Sequence, residues 1–150
     1  KLFEAATGLA AIITEQDNSV LDALNLYGMH LGTAFQLVDD VLDYNADADQ
    51  LGKNIGDDLA EGKPTLPLMY AMWHGTLNEK TIIKNAIENG KVSNFDEIIQ
   101  AVKNSGGIEY TLKLAEEQVI KAQKCLNKLP KTIYREDLNY LLKCALSREY

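Results

Sequence analysis

Ile108, Leu112, Ala115, Val119, Ala122, Leu126 and Leu129 recur at steps of four and three, with Lys113, Glu116, Glu117, Lys121 and Lys124 between them. A strand would alternate every second residue, so this pattern can gather its apolar side chains only as one stripe of an α-helix. The same period governs most of the chain. Leu2 to about Thr14 predicts a short apolar helix. Asp17, Asn18 and Ser19 offer capping residues, and from Ser19 to about Tyr44 the helical pattern runs without proline. These roughly 26 residues would extend about 39 Å, long for a globular helix. Gly28 and Gly32 interrupt it one turn apart. Each glycine costs up to ~1 kcal/mol against alanine, so close packing of a neighbouring helix is expected on that face. Pro64-Thr65-Leu66-Pro67 starts a helix through Trp73, with Pro67 tolerable only in the first turn. Segments 78–89 and 94–104 read as short helices, Pro130 ends the 108–129 helix, and about Glu136 to Ser147 forms the last. No segment reads as a strand. The expected class is all-α, with antiparallel helices joined mostly by short turns.

Composition narrows the function classes. The chain has 150 residues, 46% of them apolar and 25% charged, which suits one globular domain with a core of useful size. A net charge of −7 argues against nucleic acid, whose backbone needs a basic footprint. No apolar run approaches the ~18–20 residues that span a bilayer, and the start is not a signal peptide. Cys125 and Cys144 lie on helical segments without metal-ligand spacing. They read as buried free thiols, which suits a reducing cytoplasm. His30 and His74 are single and outside any metal spacing, and no nucleophile constellation emerges. The chain reads as helix from its second residue without a cap, so the expectation is that its numbering begins inside a larger protein.

One region departs from this order. From Asn45 to Lys63 the periodicity stops, and a structureless connection of about 19 residues is uncommon in a compact domain unless it is functional or disordered. Eight acidic side chains fall between Asp39 and Glu61, with Lys53 and Lys63 each following a glycine. Asp39, Asp40 and Asp43 form D-D-x-x-D on the last turns of the long helix. Spacings of four and three bring these carboxylates to one face. On an open surface such a pair costs roughly 0.2–0.5 kcal/mol. In a cleft, at ~6 Å and an effective dielectric near 20, each pair repels by about 3 kcal/mol. Phe35, Leu37, Val38, Val41 and Leu42 point to burial of the surrounding helix. A hard divalent cation would relieve the repulsion, and Mg²⁺ typically takes one or two carboxylates plus phosphate and water. The two lysines could meet phosphate oxygens on the far side of the metal.

Two other readings of the stretch fail. Asp43, Asn45 and Asp47 match the first ligands of a calcium loop, but Ala48 replaces the turn glycine and Asn54 the bidentate glutamate. Gly56 to Lys63 imitates a nucleotide P-loop, but five residues separate its glycines, Pro64 replaces the Ser or Thr, and no strand precedes it.

GTAFQLVDDVLDY followed by GKNIGDDLAEGKPTLPL resembles the trans-type polyprenyl diphosphate synthases, in particular their bacterial long-chain branch. LFEAA and the closing helices are similar too. The resemblance implies an all-α bundle of the isoprenoid synthase type, of which these residues would form roughly the C-terminal half of a single domain. It implies two aspartate-rich motifs that hold Mg²⁺ against the diphosphate of an allylic substrate. It further implies elongation by isopentenyl diphosphate, a homodimer, and a product such as an octaprenyl chain for a quinone. Carried over by position, Asp39, Asp40 and Asp43 are the second aspartate-rich motif, with Asp39 the most direct ligand. Gln36, Lys53 and Lys63 correspond to contacts with the allylic diphosphate, and Asp39 and Lys53 to catalytic positions. Asp57 and Asp58 correspond to a position that orders the loop. Asp47, Asp49 and Glu61 read as solvated.

By the same resemblance the first aspartate-rich motif and the isopentenyl diphosphate site would lie upstream of these residues, and Lys1 does not match the family's catalytic-site lysine. Residues 1–150 alone are therefore expected to be inactive. Terpene cyclases share the fold, but Leu42 or Asp43 and then Ala46 or Asp47 stand where their second motif needs Ser or Thr and Glu. Two further alternatives are a regulatory subunit of a heteromeric synthase and a shorter-chain farnesyl or geranylgeranyl synthase. Regulatory subunits tend to lose the aspartates and lysines that this chain keeps.

Overall fold

The computed structural model describes residues 1–44, 61, 63–89 and 95–147. Among these residues the regular structure is helical throughout: α1 (Leu2–Ile13), α2 (Asn18–Leu42), α3 (Leu66–His74), α4 (Leu77–Asn89), α5 (Phe95–Ser105), α6 (Gly107–Leu126) and α7 (Ile133–Leu146). They group into two compact units, one of Lys1–Val38 with Leu114–Glu149 and the other of Asp39–Lys113.

Local chemistry sets the helix starts. Asp17 caps α2: its Oδ1 accepts from the backbone N–H groups of Ser19 at 2.8 Å and Val20 at 3.0 Å, and from the Ser19 hydroxyl at 2.7 Å. At α4, Thr76 N–H donates to Glu79 Oε2 at 2.7 Å while Glu79 N–H donates back to Thr76 Oγ1 at 3.3 Å, a reciprocal capping box. Pro67 sits in the first turn of α3, where its missing N–H removes nothing.

Both capping carboxylates titrate low. The Ser19 hydroxyl and then the Val20 N–H hold Asp17 below the ordinary carboxylate range, and the Thr76 N–H and hydroxyl do so for Glu79. A depressed folded pKa means stabilisation that is complete above the unfolded value and is lost as pH falls through the folded one. An Asp17→Ala/Glu79→Ala protein is therefore expected to melt below wild type at neutral pH, with the gap closing in acid. A gap that stays constant in melting scans down through the carboxylate range would contradict these caps.

Two boundaries toward the C-terminal end differ from the sequence expectation. The helix expected to reach Leu129 ends at Leu126, because Lys128 and Leu129 donate to carbonyls three residues back, at 3.1 and 3.0 Å, and so tighten the turn before Pro130. The last helix begins at Ile133 rather than near Glu136, since Thr132 Oγ1 accepts from Arg135 N–H at 3.3 Å and caps it earlier. Cys125 is buried as expected, and burial pushes its thiol pKa up, whereas Cys144 is exposed on α7.

In the first unit, Tyr27, Leu31 and Ala34 of α2 pack with Val119, Ala122, Cys125 and Leu126 of α6 and with Leu142 and Ala145 of α7. The α6 contribution is the stripe read from the sequence. Tyr27 is fully buried, and its hydroxyl donates to the Leu138 carbonyl at 2.8 Å. Burial raises its phenol to about 12, so it stays a donor. The helix expected against Gly28 and Gly32 is α1. Thr7 Oγ1 donates to the Leu24 carbonyl at 2.7 Å, and the Phe3 ring lies over Gly32 and 5.3 Å from Phe35.

In the second unit α3, α4 and α5 pack on one another. Their core holds Leu68, Ala71, Ile83, Ala86, Ile98, Ala101 and Val102, and Tyr44 enters it with its ring. Gly106, at φ 79, turns the chain from α5 into α6, a left-handed conformation that glycine adopts without strain. Gly107 then comes so close to α3 that a Cβ there would lie 2.6 Å from the Pro67 carbonyl oxygen.

Candidate functional site

Val38 and Val41 are buried at 3% and 2% exposure, so they fix the inner side of the last turns of α2. Asp39 and Asp40 are half-buried there. The helix stops at Leu42, slightly earlier than its pattern predicts, where Tyr44 N–H donates to the Val41 carbonyl at 3.0 Å. Asp43 lies in this closing turn and is buried at 8% exposure. A carboxylate so far from bulk water is costly unless other groups answer its charge, and none of the three aspartates lacks a partner. Among the described residues no three His, Cys, Asp or Glu side chains gather as a metal cage. The donors are nonetheless all hard oxygens at one helix end, the kind of set Mg²⁺ shares with phosphate and water.

Beyond the aspartates the site is built by one buried contact. Tyr44, with no exposed surface, brings its hydroxyl 2.6 Å from Thr65 Oγ1, itself only 6% exposed. Thr65 is the N-cap residue of α3, in an extended conformation suited to capping, yet its side chain makes no cap hydrogen bond. Committing the hydroxyl to Tyr44 instead forgoes roughly 1 kcal/mol of helix capping. Thr65 N–H donates to the Lys63 carbonyl at 3.0 Å, which ties Lys63 to the same turn. Periodicity could not reveal this pair, because its members are 21 residues apart and meet only through packing.

Lys63 is exposed, and its ammonium lies 2.7 Å from Glu61 Oε2. Glu61, expected to be merely solvated, is thus exposed but paired. Gln36 is exposed on α2 and belongs to the first unit. Lys53, Asp57, Asp58, Asp47 and Asp49 lie outside the described residues. Of the histidines, His30 Nδ1 is 2.8 Å from Gln118 Oε1, and the His74 ring lies tilted against Tyr70 with ring centroids 4.3 Å apart. Neither joins the aspartates. No helix among the described residues is long and apolar enough to cross a membrane.

The chain is similar to known proteins over nearly its whole length. The chain is 47% identical over 150 residues to octaprenyl diphosphate synthase of Escherichia coli K12, covering 99% of this chain and 46% of that protein. It is 44% identical over 148 residues to the all-trans-nonaprenyl-diphosphate synthase (geranyl-diphosphate specific) of Rhodobacter capsulatus, covering 99% of this chain and 45% of that protein. A polyprenyl synthase from Caulobacter crescentus CB15, crystallised with calcium and isoprenyl diphosphate, superposes with a TM-score of 0.90 at 38% identity. That match covers 99% of this chain and 46% of the other. The chain therefore spans about half the length of these relatives. Its residues 1–104 match the polyprenyl synthetase family, and the chain belongs to that family.

Proposed function

We propose that the chain supplies the allylic-diphosphate and metal side of a prenyltransferase that builds long all-trans polyprenyl diphosphates from isopentenyl diphosphate units. The observation that carries this reading is the acidic end of α2, with Asp43 buried and the turn of Lys63 joined to it through Tyr44 and Thr65. Asp39, Asp40 and Asp43 would hold Mg²⁺, Asp39 most directly. Bound there, Mg²⁺ supplies charge neutralisation to the diphosphate.

The chain's own residues do the rest. The aspartates fix where the polyanion sits. Lys63 offers its ammonium to phosphate oxygens; its exposed pair with Glu61 is worth about 0–1 kcal/mol, so exchange is cheap. Gln36 and Lys53 contribute an amide and a second ammonium to the same diphosphate. Stabilising charge as it develops on the departing diphosphate is electrostatic catalysis. The allylic cation so formed is attacked by the double bond of isopentenyl diphosphate, and proton loss leaves a chain five carbons longer.

The names of the relatives support an octaprenyl or nonaprenyl product, and a homodimeric cytoplasmic enzyme completes the proposal. The test is elongation. The complete protein, given farnesyl and isopentenyl diphosphates with Mg²⁺, should yield all-trans products lengthened in five-carbon steps, and residues 1–150 alone should yield none. Elongation by residues 1–150 alone, or none by the complete protein, would overturn the assignment.

A further inference from the structure

The Tyr44 and Thr65 hydroxyls occupy a position that packing alone does not require. The ring of Tyr44 is already anchored beside Leu68 and Ala71 in the core of the second unit, and a phenylalanine would fill the same space. The hydroxyl adds one buried polar group, which must be matched there. Its match, Thr65, is drawn from the cap of α3, which is left without a side-chain cap. Two groups that would each be simpler apolar or local are instead joined to each other.

What they join is informative. Tyr44 follows Asp43 directly in the chain, and its N–H closes the end of α2 onto Val41. Thr65 binds the Lys63 carbonyl through its own N–H. The sequence Asp43, Tyr44, Thr65, Lys63 is therefore one continuous run of covalent and hydrogen bonds. Gly107 bears on the neighbouring Pro67 carbonyl, where even a Cβ would not fit, so the start of α3 is held from a second side.

We propose that the Tyr44–Thr65 hydrogen bond is a positioning device that ties the turn of Lys63 to the acidic end of α2, so that both can meet one metal-bound diphosphate. The inference rests on the diphosphate reading of the site. Tyr44 and Thr65 are positioning residues, which act through the residues beside them. Hydroxyl pairing rather than an ion pair suits this place, because a charge here would compete with the aspartates for the cation.

Calorimetric titration of the complete protein with farnesyl diphosphate in Mg²⁺, alongside melting curves, tests it. Tyr44→Phe and Thr65→Val each keep side-chain volume and remove one hydroxyl, and each should weaken binding about tenfold, the scale of one well-placed hydrogen bond. The double variant should lose clearly less than the product of the two single losses, since both remove the shared Tyr44–Thr65 bond. Thr65→Ser, which keeps the hydroxyl, should bring binding back to within about twofold of wild type. If Tyr44→Phe and Thr65→Val lower the melting temperature but leave the farnesyl diphosphate affinity unchanged, the pair is only structural and the proposal fails. Asp39→Ala and Lys63→Ala in the same titration separate the two levels. Should they abolish binding while the hydroxyl variants do nothing, only the positioning role falls. Should they too leave binding intact, the diphosphate reading itself falls.

Discussion

Replacing Asp39 by alanine in the complete protein is expected to lower prenyl-transfer turnover by about a thousandfold, an activation cost of about 4 kcal/mol. The size follows from the metal-ligand role proposed for the side chain. Removing a single donor from an electrostatic site costs about 10² to 10³ in rate. Removing a carboxylate that directly holds a divalent cation should reach the upper end of that range, because the cation's own charge is lost or displaced with it. Stability should hardly change. Asp39 is half-buried, and the loss of its like charge four residues before Asp43 relieves repulsion, which offsets the interaction that Asp39 gives up. The diagnostic is the separation of the two readouts: a thousandfold loss in turnover with melting within about 2 °C of wild type. A rate within tenfold of wild type would remove Asp39 from the metal set.

Gly28→Ala should be clearly destabilising, although it adds only one methyl group. In an open helix this substitution gains about 1 kcal/mol from propensity. Here the added Cβ would stand 2.5 Å from the Phe3 carbonyl oxygen and 2.8 Å from its carbon, as well as against Thr7 Oγ1. Thr7 could rotate, although it would give up its bond to the Leu24 carbonyl. The Phe3 backbone cannot move without shifting α1. Overpacking of this kind costs typically 1–3 kcal/mol beyond any gain, so we expect net destabilisation of about 2 kcal/mol. In a chain of this size that is roughly 4–8 °C in Tm. Gly8→Ala is the contrast. Its Cβ would meet the side chain of Asn25, which can swing aside, so the change should cost much less. Equal melting of the two variants would mean that the α1–α2 approach is looser than described.

The helices were legible where one residue's neighbours along the chain decide its state. The α6 stripe was visible as a period, and Ala115, Val119, Ala122 and Leu126 are indeed buried. The glycines of α2 announced a close neighbour, since two such residues one turn apart are costly without one. The ends were harder. The early stop of α6 depends on the Cys125 and Leu126 carbonyls accepting from Lys128 and Leu129, and the early start of α7 on the Thr132 cap, whose residue type the sequence does show. The capping box of Thr76 and Glu79 was equally readable from its spacing.

The site was half legible for a similar reason. Aspartates at i, i+1 and i+4 share a helix end by geometry alone, so their grouping needed no tertiary knowledge. The depth of Asp43 did, because it depends on where α2 stops and on the core that Tyr44 enters. The Tyr44–Thr65 contact had no local signal at all. Cys144, expected inside, faces outward because the buried side of α7 is taken by Leu142 and Ala145.

The central claim is that the acidic end of α2 holds a divalent cation and, through it, a diphosphate. Titration of a non-reactive farnesyl diphosphate analogue into the complete protein, with Mg²⁺ and then with the metal chelated, tests it most directly. Tight binding is expected with Mg²⁺, with a loss of at least about a hundredfold on chelation and the same loss in Asp39→Ala with Mg²⁺ present. Binding that is equally tight with and without Mg²⁺ would contradict it.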